Sequence, residues 1–166
     1  WHRVVSLIFE AIPKRSVAPG AHSGPALGAA TSTVAGSLWG VNNKVVVVGL
    51  GYVGLPLAQA ACRAGLQVKG LDLNQDVIAG LNAGISHVDD LSAGDIREML
   101  DAGFVASSDA SILDDADVAV VCVPTPLSAE GGPDLGAVMG ATRTIAAHLH
   151  QGMLVILEST TYPGTT

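Results

Sequence analysis

Six consecutive residues, Gly49-Leu50-Gly51-Tyr52-Val53-Gly54, place glycines at the first, third and sixth positions. At that spacing the first glycine permits a tight turn, the second lets the backbone approach a bulky anion, and the third lets a helix pack closely on the preceding strand. A helix opening there presents unpaired N–H groups and the positive end of its dipole, which suits a pyrophosphate. Tyr52 and Val53, between the last two glycines, belong to the same candidate cradle. Asp72 follows 23 positions after Gly49, where a carboxylate can accept hydrogen bonds from a ribose. The same carboxylate would repel a 2′-phosphate, so the pair of features favours NAD over NADP. Two plainer readings stand beside these: three glycines serving only a turn, and Asp72 serving only to cap the turn that follows it.

The elements that must position these residues are legible in the pattern of apolar residues. Lys44–Gly49 (KVVVVG) is a short β-branched run suited to a central strand. Leu55–Ala64 reads as a helix, with Pro56 tolerated in its first turn and Gly65 just past its end. Gln67–Asp72 is a second strand and Gln75–Ala83 a second helix. Ser92-x-x-Asp95 is a capping box with Asp in place of Glu, opening a helix to Ala102. A short strand at Phe104–Ala106, a helical turn near Ala110–Asp115 and a fourth strand at Asp117–Val123 follow. A Pro- and Gly-rich loop spans Pro124–Pro133. Asp134 is expected to cap a helix running to about His150, ahead of a fifth strand at Met153–Glu158. Strands alternating with helices imply parallel pairing through right-handed crossovers. The expected fold is α/β, a Rossmann-type doubly wound sheet over residues 44–166. Residues 1–43, without periodicity beyond a Val4–Phe9 apolar patch, are expected to form a disordered leader.

Composition agrees with a buried parallel sheet: of 166 residues, 49% are hydrophobic and only 4% aromatic. The formal charge of −7 is unevenly spread. Arg3, Lys14 and Arg15 against Glu10 leave the first 43 residues positive, so the acidity is concentrated in the folding part. Such a domain repels phosphate backbones, which argues against nucleic-acid binding. No apolar run is long enough to span a membrane. Only Cys62 and Cys122 are present, without CxxC spacing, and a reducing cytoplasm fits best.

Two further motifs close the fourth and fifth strands. Val121-Cys122-Val123-Pro124-Thr125-Pro126 should face a ligand at the carboxyl edge of the sheet. Glu158-Ser159-Thr160-Thr161-Tyr162-Pro163-Gly164-Thr165-Thr166 should do the same, with hydroxyls that a polar ligand would satisfy. In order, GLGYVGLPLA, LDLN, VCVPTPL with PDL, and LESTTYPGTT resemble the N-terminal domain of the UDP-glucose/GDP-mannose dehydrogenase family. The TTYPGTT form resembles the branch acting on UDP-N-acetylhexosamines. The resemblance runs from Lys44 to Thr166. It implies that the backbone at Val53, the carboxylate of Asp72 and the hydroxyls of Thr125 and Thr160 contact NAD. It also implies a homo-oligomeric parent that oxidises the C6 alcohol of a UDP-sugar to a carboxylate, with the catalytic cysteine and the substrate-binding domain beyond Thr166. One departure is Val77, where the family commonly has Lys or Arg. The alternatives are a stand-alone NAD-binding module or nonfunctional fragment and, further off, a β-hydroxyacid or hydroxyacyl-CoA dehydrogenase domain.

Other reactive residue types read as structural. Cys122 in an apolar strand and Cys62 on the first helix are expected to behave as core hydrophobes rather than nucleophiles. His148 and His150 do not share a helix face and read as a solvated helix end. Asp89-Asp90 and Asp114, Asp115 and Asp117 read as solvated surface rather than a metal site. The stretch Ile85–Leu91 matches a family segment near the adenosine side but has no role assignable from spacing.

Overall fold

A computed structural model describes residues 43–127 and 132–159. Apart from Asn43, the expected leader lies outside the described residues. Five strands, β1 (Lys44–Val48), β2 (Gln67–Leu71), β3 (Val105–Ser107), β4 (Val118–Val121) and β5 (Leu154–Leu157), form one sheet in the order β3-β2-β1-β4-β5. All four pairings are parallel; Val48, for example, lies opposite Leu71 on one side and Val121 on the other. The helices are α1 (Gly54–Arg63), α2 (Gln75–Asn82), α3 (Ala93–Asp101) and α4 (Gly136–Ala147), with a 3-10 turn at Ala110–Leu113.

Alternate residues of β1 point to opposite faces, and both faces are covered. Val45 and Val47 pack with Leu55, Ile78 and Ile96, on the side of α1, α2 and α3. Val46 and Val48 pack with Leu113, Ala141 and Ile145, on the side of the 3-10 turn and α4. This two-sided burial is why the strand reads as a continuous apolar run. The chain winds outward from β1 to β3 and then returns beside β1 as β4. The winding therefore reverses between β1 and β4, and the crevice at the carboxyl ends of those strands is where open α/β sheets take ligands.

Local chemistry explains the boundaries. Leu55, Leu57, Ala58, Ala61 and Cys62 form the buried stripe of α1. Ser92 and Asp95 make the reciprocal capping box at the start of α3. The expected cap of α4 needs a correction: Leu135 occupies the N-cap position without a side-chain bond. Asp134 acts from one residue earlier, its Oδ1 accepting from the Gly136 amide at 2.8 Å. The same helix ends at Ala147 rather than near His150. His148 is its C-cap, and its Nδ1 lies 2.6 Å from Asp114 Oδ1, tying α4 to the 3-10 turn.

The acidic run at Asp114–Asp117 is likewise more engaged than a solvated surface. Asp117 Oδ2 accepts from the Lys44 amide at 2.9 Å. Asp115 forms an ion pair with Lys44, with Lys69 Nζ 4.0 Å away. The Lys44 hydrogen bond holds the Asp115 carboxyl below its ordinary range. This cluster sits at the amino edge of the sheet, away from the glycine-rich turn.

Candidate functional site

The turn from β1 into α1 is built by three contacts that exclude larger residues. Gly49 has φ +92°, and a Cβ there would lie 2.8 Å from the Cys122 carbonyl oxygen. A Cβ on Gly54 would lie 1.8 Å from the Gly49 carbonyl oxygen. Leu50 is fully buried, and its δ carbons would lie 2.6 Å from a Cβ on Gly70. The leucine thus points down onto β2 while the backbone on either side rises to the surface. Gly51 differs: nothing lies within 4 Å of its missing Cβ, so its outer face is open to a ligand.

At the start of α1 the N-cap is Val53, which makes no side-chain capping bond. The Leu55 amide donates to the Gly51 carbonyl at 3.0 Å. Among the described residues no side chain plugs the amides of Tyr52, Val53 and Gly54. An uncapped helix start with exposed Gly51, Tyr52 and Val53 leaves donors and a positive dipole end available to an anion.

Asp72 directly follows β2, and its amide donates to the Ser107 carbonyl at 3.0 Å. Its Oδ2 accepts from the Leu50 amide at 2.7 Å, and its Oδ1 accepts from the Asn74 amide at 2.9 Å. The carboxylate therefore caps the following turn and also holds the glycine-rich loop. An ionised carboxylate has about four acceptor positions, so these two bonds leave capacity for ribose hydroxyls.

The glycine-rich turn and Asp72 line a single cleft of about 560 Å³ at the carboxyl edge of the sheet. Thr125 from the loop after β4, and Glu158 and Ser159 after β5, line its other end. Ser159 Oγ donates to the Val123 carbonyl at 2.7 Å, fixing that end of the loop. A second hollow of about 510 Å³ lies on the α4 side and shares Gly49, Asp72, Val123 and Pro124 with the first. Its α4 wall is made of small residues, including Gly136, Gly140 and Ala141. Of the sequence-predicted contacts, Gly49, Gly51, Tyr52, Val53, Asp72 and Thr125 line the first cleft. Gly54 acts from beneath, through its packing on Gly49, and Thr160 lies outside the described residues. Asn74, His87 and Glu158 also line the cleft but were not singled out as contacts. Asn74 lies in the LDLN motif and Glu158 in LESTTYPGTT, whereas His87 lies in Ile85–Leu91, a stretch without periodic spacing.

Cys122 lies just past β4 and borders the cleft, yet it is only 6% exposed. Burial, reinforced by the Glu158 charge, pushes its thiol up to about 12. Burial likewise raises Cys62 to about 11, against an ordinary 9.0. Neither thiol is set up as a nucleophile, since the thiolate is the reactive form. At about pH 8, iodoacetamide should label both cysteines in urea-unfolded chain and leave native chain largely unlabelled. Fast native labelling would contradict the burial. Because both folded values are raised, their stabilising effect is complete below the unfolded value of 9.0. It is lost as pH rises through the folded values.

Among the described residues no three His, Cys, Asp or Glu side chains converge as a metal site. No described helix is long and apolar enough to cross a membrane.

The geometry has counterparts among known proteins. The model of the UDP-glucose/GDP-mannose dehydrogenase family, NAD binding domain, matches residues 43–166. A UDP-N-acetyl-D-mannosamine dehydrogenase of Pyrococcus horikoshii is 38% identical over 125 residues, covering 74% of this chain and 30% of that protein. A UDP-N-acetyl-D-glucosamine 6-dehydrogenase of Pseudomonas aeruginosa is 41% identical over 123 residues, covering 74% and 28%. The solved UDP-D-ManNAc dehydrogenase of Pyrococcus horikoshii superposes with a TM-score of 0.70 at 37% identity, covering 74% of this chain and 30% of that one. The chain thus spans about 30% of the length of the curated relatives it matches.

Proposed function

The chain belongs to the UDP-glucose/GDP-mannose dehydrogenase family, whose NAD binding domain it carries, and on that premise we propose that it seats NAD for the oxidation of a UDP-sugar at C6 by a longer protein. The observation that carries this reading is the convergence of an uncapped α1 start and the Asp72 carboxylate on one cleft. The pyrophosphate rests on the amides from Gly51 to Gly54, and the adenosine ribose donates its hydroxyls to Asp72. The adenine, flat and largely apolar, fits the hollow beneath α4, which Asp72 also borders. That placement leaves Thr125, Glu158 and Ser159 at the nicotinamide end; Thr160, next in sequence, is a further candidate contact. NAD bound there supplies the hydride acceptor for alcohol oxidation.

The substrate favoured is a UDP-N-acetylhexosamine, on the names of the similar enzymes and the TTYPGTT motif. The two buried, raised thiols give the described residues no activated cysteine. Cofactor binding without sugar oxidation is therefore the activity expected of the 166-residue chain itself. Thermal unfolding with and without NAD tests it. At a hundredfold excess over the dissociation constant, a ligand of the folded state adds about 2.7 kcal/mol of stability. An NAD-dependent rise in melting temperature, larger than that with NADP, is the expected result. A melting temperature indifferent to NAD would defeat the reading.

A further inference from the structure

Resting on the reading that NAD occupies the cleft, we infer that His87 is a cofactor-contacting residue, donating from its imidazole to the adenosine-side ribose-phosphate. Its segment, Ile85–Leu91, is the motif that the fold and the proposed function leave without a purpose. The cleft has a charge problem that this residue answers. Two carboxylates, Asp72 and Glu158, line a space assigned to a diphosphate. Among the described residues of the lining, His87 alone can carry positive charge. Neutral imidazole still has one N–H donor, and the protonated ring has two.

The position is held in place before any ligand arrives. Ser86 Oγ accepts from the Val88 amide at 3.1 Å and donates to the Val88 carbonyl at 2.9 Å, closing a tight local turn around His87. Val88, only 2% exposed, is anchored in the core with Leu91. Between these two fixed points His87 is itself exposed and faces the cleft beside Val77 and Asn74. Val77 offers only hydrocarbon, and the Asn74 side-chain oxygen is already engaged by the Asp76 and Val77 amides. Beside the uncharged Asn74 amide, His87 is thus the one donor on this wall that can carry positive charge, at the end where the ribose meets the phosphates.

Titrations of NAD and of ADP-ribose into the wild-type chain, His87→Leu and His87→Lys test this. ADP-ribose keeps the adenosine and both phosphates but lacks the nicotinamide. His87→Leu, which removes the donor, should weaken both ligands by the same factor, about ten- to a hundredfold, the value of one hydrogen bond to a charged group. His87→Lys should recover most of that loss. The melting temperature without ligand should not change in either variant, since the side chain is exposed and only its neighbours are anchored. Unaltered affinity for both ligands in His87→Leu would overturn the inference while leaving the cofactor reading intact. A loss confined to NAD, with ADP-ribose unaffected, would overturn it by moving the histidine to the nicotinamide end. Failure of the wild-type chain to bind NAD would overturn the cofactor reading and this inference together.

Discussion

Gly54→Ala is expected to destabilise the fold severely, and NAD binding with it. The added methyl would sit 1.8 Å from the Gly49 carbonyl oxygen, far inside van der Waals contact. Neither side can retreat cheaply. Gly54 begins α1, whose Leu55, Leu57 and Ala58 are fully buried against the sheet. Gly49 is fixed by its φ of +92° and by the Cys122 carbonyl behind it. Its amide also donates to the Leu71 carbonyl at 2.8 Å. Lifting the helix would open the core beneath it, at a cost of about 3 kcal/mol or more. That is a large share of the roughly 5–15 kcal/mol by which domains are stable. Gly51→Ala is the matched control, because nothing lies within 4 Å of that Cβ. It should melt close to wild type and yet bind NAD more weakly, its methyl standing where the pyrophosphate rests. Circular dichroism melting curves and NAD titration read both effects. A Gly54→Ala chain melting within a few degrees of wild type would refute the packing argument.

The second large effect is at Asp72. Asp72→Asn keeps the shape and one acceptor, for the Leu50 amide, but removes the charge and turns an NH2 toward the Asn74 amide. Hydrogen bonds to a charged group contribute about 1.5–3 kcal/mol, so the NAD dissociation constant should rise by about ten- to a hundredfold. The preference for NAD over NADP should narrow, because a 2′-phosphate no longer meets a carboxylate. Asp72→Ala should do more, since it abandons the Leu50 amide as well as the Asn74 amide and destabilises the glycine-rich loop before any ligand binds. Melting curves of the two variants without ligand measure the loop support, and NAD titration of Asp72→Asn the ribose recognition. An Asp72→Asn chain with unchanged NAD affinity would reduce this carboxylate to the turn cap that the plainer reading proposed.

Most of the fold was legible because its signals are local. The valines of β1 and the mixed Val/Ala run of β4 announce buried strands, and Ser92 with Asp95 announces a helix start. The observed boundaries differ by a residue or two where tertiary contacts decide them. Gly49 leaves the sheet because of its left-handed backbone, and Asp117 is spent on the Lys44 amide before β4 begins. The glycine-rich turn and Asp72 were visible for the same reason, as residue types at a required spacing. Interactions between distant segments were not visible. Nothing in the spacing of His148 and Asp114, 34 positions apart, shows that they meet. The approach of Asp72 to the Leu50 amide also required the paired register of β1 and β2. His87 reaches the cleft from a loop of no regular period, which leaves sequence patterns nothing to detect.

The seating of Leu50 over Gly70 carries a consequence of its own. The residue between the first two glycines is a buried peg, its backbone amide clasped by Asp72 and its side chain bedded in a notch of the neighbouring strand. The ligand-facing rim and the interior of the sheet are thus one mechanical unit. Selection for tight cofactor recognition would be felt in the middle of β2, at a glycine no dinucleotide ever touches.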